Sequence, residues 1–552
     1  MNINLPTIDF LHEIEKIIKK SILLSCGIDN SDETAIVVLD EINFIRFKSF
    51  DYKNLRNFGT SKLYSINTQG VEITRDHEIF IFFLAPTVDN IRLLINFLKL
   101  IKKNIHSYHV VFTSIYLSIN LVNRLFEIDE YSGSNNIYYH KIPLCVSYYD
   151  EQVLLINNSY YENKMDYFND IECTIEYILN ELNIKNNIVL SIGKNSISVS
   201  NKLISNLEYN NTISNNDFIA STILIDREYD LVTLMKLQKS IGGIVNEIFD
   251  ANTKEIKINV DNRIVVIDKK SLIYRSIEYL ALDEAHKKIK ERIKEIQNGQ
   301  KKIELKIKDG INNLDESDKL FIKTIDSREN ECRNLITLIS YLFDILNSDN
   351  YLAKIHLQEL ITSNILINYD IINKIINIAV NTNDLITSMR YLILYSQHNR
   401  GLSDDDTLII NNSPVQNKYK EWENILGYLK RQNIIECIDL RKYLLNIFKK
   451  KTLKNDTCLF SEMINCGNVT NIINIVKRYS NDKCIYAVNN NYEMTNNLQN
   501  IIVIVIIGGV TIDEINRIKK KGNDTNKRVI IITDLIISAT SYVHKIITST
   551  SL

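Results

Sequence analysis

Apolar residues along this chain follow two rhythms, and the change from one to the other predicts its organisation. In the first 140 residues, short β-like runs at Thr34 to Leu39, Glu78 to Leu84 and His109 to Thr113 alternate with helical patterns, which predicts an α/β unit. Ile79, Ile81, Phe82, Phe83 and Leu84 form a nearly continuous apolar run ended by Pro86, as expected of a parallel strand covered on both faces. Leu93, Leu94, Phe97, Leu98 and Ile101 then recur at helical spacing, so Val88 to Lys103 reads as the crossover helix. A second α/β region begins near Lys141, with Leu154 to Ile156, Ile188 to Ser191 and Ile219 to Ile225 as strands, but it lacks its end. The aliphatic runs at 501–507 and 529–533 supply the missing strands, since no other sheet lies near them in sequence. From Ser271 to about Lys451 the period is 3.6, as in Leu385, Ile386, Met389, Leu392 and Ile393. The pattern therefore predicts an N-terminal α/β domain over 1–140, a split parallel-sheet α/β domain over 141–250 and 452–552, and an inserted, mainly helical domain over 251–451.

Composition narrows the function classes without choosing one. A chain of 552 residues exceeds a single core, because domains average about 150 residues. Its 65 basic and 67 acidic side chains nearly cancel, which argues against a dedicated nucleic-acid binder. Asn is abundant, and runs such as 210–216 read as solvated loop insertions. The eight cysteines are scattered without a CxxC pair, so neither a zinc ribbon nor a disulfide framework is expected. Nine histidines stand singly, none in HExxH or beside a Cys at ligand spacing, and no metal or other cofactor is expected. Asp9, Glu13 and Glu15 near the N-terminus do not fit a secretory leader. The longest aliphatic run, Ile501 to Ile507, falls far short of the roughly 20 residues that cross a bilayer. With no lipidation box at either end, a cytoplasmic protein recruited peripherally to membranes through partners is expected.

The stretch Ile223 to Thr233, ILIDREYDLVT, places Asp226, Arg227 and Asp230 after a buried strand, where open α/β sheets carry their ligands. Two readings stand. Asp226 and Asp230 could hold a divalent cation in a metal- or nucleotide-dependent hydrolase, although no nucleophile or phosphate loop lies close by. Alternatively, the Arg227 guanidinium pairs with one or both of these carboxylates and fixes the exit of the strand. The segment Ser191 to Ser196, SIGKNS, misses the phosphate-loop pattern, because Ile188 replaces its first Gly and Ser196 comes one place late. Gly508-Gly509 precedes Thr511 and Glu514 at capping-box spacing, so these glycines are read as a turn before a helix rather than a cofactor site.

Between Glu284 and Asp309, Ile289, Ile296 and Ile303 recur every seven residues, as do Ile293, Gln300 and Ile307. Charged residues fill the intervening positions, leaving a narrow apolar seam. This seam either grips a foreign helix or packs within an internal hairpin, and Asn298-Gly299 marks a place where the segment could turn back. Trp422, the only tryptophan, shares a helix face with Ile425, Leu426 and Leu429, which suits a core or an aromatic interface anchor.

Taken together, these residues resemble the SM (Sec/Munc) family of SNARE-binding proteins, in its vacuolar protein sorting-associated protein 33 branch. The strongest stretch is Phe218 to Phe249, whose Asp226, Arg227 and Asp230 match the family's aspartate-arginine-x-x-aspartate signature and whose Gln238, Gly243 and Glu247 are similar to the vacuolar-sorting branch. EIFIFFLAP at 78–86, MRYLILYSQHNRGL at 389–402, and IVIIGGVTIDEI with IITDLIISATSYV near the C-terminus follow in the family's order. The resemblance implies a three-domain arch with no catalysis, which chaperones SNARE assembly in vesicle docking and fusion at endosomal, lysosomal or vacuolar membranes. It implies membership of a HOPS- or CORVET-type tethering complex, with SNARE helical bundles as one partner and a companion subunit similar to vacuolar protein sorting-associated protein 16 as another. On this reading Ile289, Ile293, Ile296, Ile303 and Ile307 face SNARE helices, Trp422, Ile425 and Leu426 anchor the companion, and Asp226, Arg227, Asp230, Gly508 and Gly509 form a structural signature. The chain departs from the family at Leu234, where a proline is usual, and at Ser240-Ile241, where Thr-Tyr is usual. Residues 283–350 show little similarity to it.

Overall fold

The computed structural model describes residues 18, 35–41, 43, 60–67, 79–100, 107–114, 116–132, 136–142, 146–156, 164–209, 218–249, 255–260, 263–308, 316–363, 368–399, 401–415, 419, 421–431, 439, 441–444, 458–464, 485–489 and 501–548. The chain divides into two compact units. One comprises Met1–Ile225, Tyr479–Ile507 and Ile530–Asp534, the other Asp226–Arg478, Gly508–Val529 and Leu535–Leu552.

The first unit holds two sheets. Strands β1 (Ala35–Leu39), β2 (Thr60–Ser65), β3 (Ile79–Leu84), β4 (Ser107–Phe112) and β5 (Asn136–Lys141) form a parallel sheet in the order β2-β1-β3-β4-β5. Every residue of β3 is buried, and its alternation divides the run between two cores. Phe80, Phe82 and Leu84 pack against helices α1 (Val88–Leu100) and α2 (Ile119–Ser132), while Ile79, Ile81 and Phe83 join Ile18, Val37 and Val111 on the opposite face. The apolar run thus does what a strand buried on both faces requires. Strands β2 and β5 were not anticipated. Lys62, Tyr64, Tyr138 and His140 dilute their apolar pattern, as suits strands at the sheet edges.

The second sheet contains β6 (Val146–Asp150), β7 (Val153–Ile156), β8 (Ile184–Ile192) and β9 (Phe218–Asp226), with helices α3 (Lys164–Glu181) and α4 (Lys194–Tyr209). Past a hairpin of the other unit, β10 (Glu255–Val260) and β11 (Arg263–Asp268), it gains β12 (Ile485–Asn489), β13 (Ile501–Ile507) and β14 (Arg528–Thr533). The strand order is β12-β8-β9-β13-β14-β7-β6, so β13 and β14 occupy the middle of the sheet. A sheet without them would leave β7 and β9 unpaired on facing edges, which is why the two sequence-distant halves fold as one. Ile501, Val503, Val505 and Ile507 alternate onto the face covered by Ile171, Ile175 and Ile178 of α3 and Val199 and Leu203 of α4.

The second unit is mainly helical, with α5 (Leu231–Met235), α6 (Ile241–Ile248), α7 (Leu272–Ile277), α8 (Leu282–Lys308), α9 (Glu316–Leu346), α10 (Asp349–Ser363), α11 (Asn368–Asn381), α12 (Leu385–His398), α13 (Asp404–Asn411), α14 (Glu421–Arg431), α15 (Leu459–Glu462), α16 (Ile512–Asp524) and α17 (Ala539–Thr548). The β10–β11 hairpin escaped the sequence reading because its outward face mixes Glu255, Lys257 and Asn259 with Ile264 and Val266. Among the described residues no helix is long and apolar enough to cross a membrane.

Candidate functional site

The aspartate-arginine-x-x-aspartate segment sits where β9 gives way to a 3₁₀ turn, Arg227–Asp230, and then to α5. Asp226, Arg227 and Asp230 are all buried. Arg227 pairs through two nitrogens with Glu514, 287 residues along the chain: Nη1 donates to Oε2 at 2.7 Å and Nη2 to Oε1 at 2.8 Å. Nη2 also donates to the backbone carbonyl of Asp230, and the guanidinium lies 4.6 Å from the centroid of the Phe460 ring. The carboxylate that Arg227 grips with two nitrogens is thus that of Glu514, with the Asp230 charge close enough to act on the guanidinium as well. The Asp230 side chain is instead the N-cap of α5, accepting from the Thr233 backbone N–H at 3.2 Å and from its hydroxyl. It also accepts from Arg441 Nε at 2.9 Å and from the Leu459 backbone N–H at 2.7 Å.

These contacts decide the charge states. Burial opposes a charge on Arg227, but the Glu514 carboxylate outweighs it and holds the guanidinium above its ordinary range. Burial would likewise raise the Asp230 carboxyl, yet Arg441, Arg227 and the donors at Leu459 and Thr233 hold it below the usual carboxylate range. Asp230, Cys458 and Glu514 bring possible metal-ligand atoms within 4.8 Å of one another. Their surroundings do not suit a cation. Burial, reinforced by Glu514 and Asp230, pushes the Cys458 thiol up to about 12, so it is the neutral form and not the thiolate that sits there. The two carboxylates are already bound to Arg227 and Arg441. A divalent ion would have to displace or face both guanidinium groups, so the surroundings of Asp230 do not favour a hydrolase metal site there.

The other side of the cluster is the turn at Gly508 and Gly509, with φ of +103° and +99°. A Cβ on Gly508 would come within 2.9 Å of Arg227 Cβ, and one on Gly509 within 2.6 Å of Ile537 Cγ2, so conformation and space both require glycine. Thr511 and Glu514 form the expected capping box of α16. Glu514 therefore serves two ends at once, since its Oε2 accepts from both the Thr511 backbone N–H and Arg227. Next to it, Asp513 accepts from the backbone N–H groups of Lys239 at 2.6 Å and Ser240 at 3.0 Å. Ser240, in place of the usual Thr, still caps α6 by accepting from the Gly243 N–H. Glu247 receives Arg390 Nη1 at 2.8 Å and the Thr540 hydroxyl at 3.2 Å, while Arg390 also donates to the carbonyls of Met235 and Lys236. Four of the quoted stretches thus meet in one polar network of the second unit. Arg390, Arg441 and the Glu514 pairing escaped the sequence reading, since local spacing reveals a cap but not a partner hundreds of residues away.

The heptad seam lies in a different setting. Helix α8 runs through Gly299 without turning, and the absent side chain there lets the Phe321 ring of α9 pack close, since a Cβ would come within 2.5 Å of its Cζ. The helical hairpin is formed with α9 instead. Ile289 and Ile296 are buried against Cys332, Leu335, Leu338 and Leu342, Ile293 packs beside them, and Ile303 is also buried. As a surface for a foreign helix this seam is corrected, because the hairpin uses it to hold itself together. Ile307 alone of the named set is exposed, at 56%, and its end of the hairpin also exposes Leu305, Leu320 and Ile322. A Lys306 to Asp318 ion pair of 2.7 Å joins the two helices there.

Trp422, Ile425 and Leu426 are buried too, in a core shared with Leu392 and Tyr395 of α12 and Val543 of α17. The structure places these three in the core and not on a surface that a companion subunit could reach, which corrects the anchor reading.

A model described as the Sec1 family matches residues 48–545. Among solved structures, Sly1p in complex with an N-terminal peptide of Sed5p superposes with a TM-score of 0.65 at 13% identity, covering 97% of each chain. The SM protein Vps45 in complex with the Qa SNARE Tlg2 gives 0.60 at 15% identity, again over 97% of each chain. Unc18 in its complex with syntaxin 1 from Monosiga brevicollis gives 0.63 at 12% identity, covering 97% of this chain and 99% of that one. No curated protein sequence gives a significant match.

Proposed function

Because this chain belongs to the Sec1 family, we propose that it binds SNARE helical bundles and chaperones their assembly during vesicle docking and fusion, acting by binding and not by catalysis. The observation that carries this reading is the family match across 48–545, together with a hairpin whose far end is apolar and exposed although its seam is sealed. Leu305, Ile307, Leu320 and Ile322 are the side chains we assign to the SNARE contact, since exposed aliphatics near the end of a charged helix pair offer apolar area to another helix. The finer placement is also part of the proposal: the vacuolar protein sorting-associated protein 33 branch, a HOPS- or CORVET-type tethering complex, and peripheral recruitment from the cytoplasm to endosomal, lysosomal or vacuolar membranes through a companion like vacuolar protein sorting-associated protein 16. The domain boundaries proposed with it are 1–140, 141–250 with 452–552, and 251–451. What supports the branch is the run of Gln238, Gly243 and Glu247 after the signature: Gln238 donates to the Lys236 carbonyl at 3.2 Å, Gly243 N–H to the Ser240 hydroxyl, and Glu247 accepts from Arg390.

The test is capture of a purified endosomal SNARE bundle by the full chain, alongside co-expression with the candidate companion. Retention of the bundle above a control supports the SNARE reading, and its absence refutes it. Failure of the companion alone to co-purify removes the tethering-complex assignment and leaves the SNARE reading standing.

A further inference from the structure

We propose that the β10–β11 hairpin and the start of α7 form a docking surface for an anionic phospholipid bilayer, a direct membrane contact that does not rest on SNARE binding. The two-stranded sheet has one face in the core, through Ile256, Ile258 and Ile267, and one face outward. The outward face carries Ile264, 72% exposed, and Val266, 42% exposed, two residues apart and so on the same side of β11. A tight turn follows, with the Ser271 N–H bonded to the Asp268 carbonyl, and it presents Leu272 at 88% exposure. Single exposed aliphatics are ordinary, but three on one hairpin and the helix start that follows it leave apolar area that water does not favour.

The charges around this patch select its occupant. Lys257 stands directly across the ladder from Val266, and Lys269, whose Nζ donates to Asn246 Oδ1 at 3.2 Å, and Lys270 lie three and two residues before Leu272. Along α7 and just beyond it, Lys288 Nζ donates to the Ser276 carbonyl at 2.8 Å and Lys519 Nζ lies 4.6 Å over the Tyr279 ring. Two acids, Glu255 and Asp268, share the outward face, against Lys257, Arg263, Lys269 and Lys270 in the same hairpin and turn. Glu278 is buried and paired with Arg275, Asp268 Oδ1 accepts from the Lys270 backbone N–H, and Glu255 lies 3.9 Å from Lys257. Protruding aliphatics ringed by lysines match a bilayer interface, where the apolar tips enter the acyl boundary and the ammonium groups meet headgroup phosphates and carboxylates. A protein partner buried on such a patch would have to desolvate several lysines, whereas a hydrated headgroup layer leaves them in water.

The experiment is co-sedimentation of the full chain with vesicles of phosphatidylcholine alone and with one-third phosphatidylserine, for the wild type, I264S/V266S/L272S and K269E/K270E. All five positions are partly or fully exposed, and circular dichroism checks that the variants remain folded. The expected result is binding to the anionic vesicles only, about tenfold weaker in each variant and weakened further by salt. As a second readout, Leu272→Trp introduces a surface tryptophan beside the single buried Trp422, and its emission is expected to shift to the blue on adding anionic vesicles. Equal binding to neutral vesicles, no binding at all, binding unchanged in both variants, or no spectral shift overturns the proposal. So does a result in which the variants keep vesicle binding but lose a soluble partner, which would make the patch a protein interface.

Discussion

The Arg227 cluster and the far end of the α8–α9 hairpin use their side chains in opposite ways. In the cluster the paired charges are buried or half-buried and answered: Arg227 by Glu514, Asp230 by Arg441, Glu247 by Arg390. At the hairpin end large aliphatics stand in water without cover from the described residues, while the rest of the hairpin is closed around Ile289 and Ile296. The contrast separates residues that hold the architecture from residues available to a partner. A signature motif belongs here to the first group, because its conspicuous charges are saturated by the fold itself.

The sharpest way to break this contrast is to orphan one buried charge. Glu514→Ala leaves the Arg227 guanidinium buried and unpaired, and a loss of about 3–5 kcal/mol is expected in urea denaturation. Replacing both partners in R227M/E514M is expected to recover much of that loss, since apolar side chains of similar volume do not leave a charge behind. Similar losses in the double and single variants would show that the pair itself, and not the orphaned charge, supplies the stability. Next in size is Gly509→Ala, with a cost of about 1–3 kcal/mol because both its positive φ and the 2.6 Å approach to Ile537 resist a side chain. Truncating Ile537 to Ala, which removes the Cγ2 that a side chain at 509 would meet, should narrow the added cost of Gly509→Ala to its conformational part.

How much of this was legible in the sequence depends on the range over which each signal acts. The β3 run, the crossover helix and the capping box at Thr511 act over a few residues, and each was readable as such. The placement of β13 and β14 was also legible, because aliphatic runs at 501–507 and 529–533 had no other sheet to join. Seam and anchor were misread for a common reason. A heptad column at Ile289, Ile296 and Ile303, or a Trp422 face, looks the same in sequence whether a foreign helix or the chain's own α9 and α12 covers it. Long-range ion pairs stayed hidden, since nothing near Arg227 distinguishes Asp230, three residues away, from Glu514 as its partner.

A smaller effect comes from pH. His398, in the half-buried polar layer next to the cluster, is brought down to about 4 by burial and then by Lys236, Arg441 and Lys442. Because its folded value lies below the ordinary 6.5, the unfolded chain binds the proton first. Stability is therefore complete above pH 6.5 and falls as pH drops toward 4, by at most about 1.4 kcal/mol per unit for one group. Urea midpoints across this window should fall less steeply in His398→Gln, and equal slopes would remove His398 from the account. The smallest expected effect on folding is at the hairpin end, where I307D/L320D should stay within about 0.5 kcal/mol of wild type, as exposed positions do.

That same variant gives the most direct test of the central claim. The affinity of the full chain for a purified SNARE bundle, measured by calorimetry for the wild type and for I307D/L320D, should fall by about tenfold or more while the urea midpoint stays put. Binding that is absent in the wild type, or equal in the two proteins, would contradict the assignment of the hairpin end as the SNARE contact.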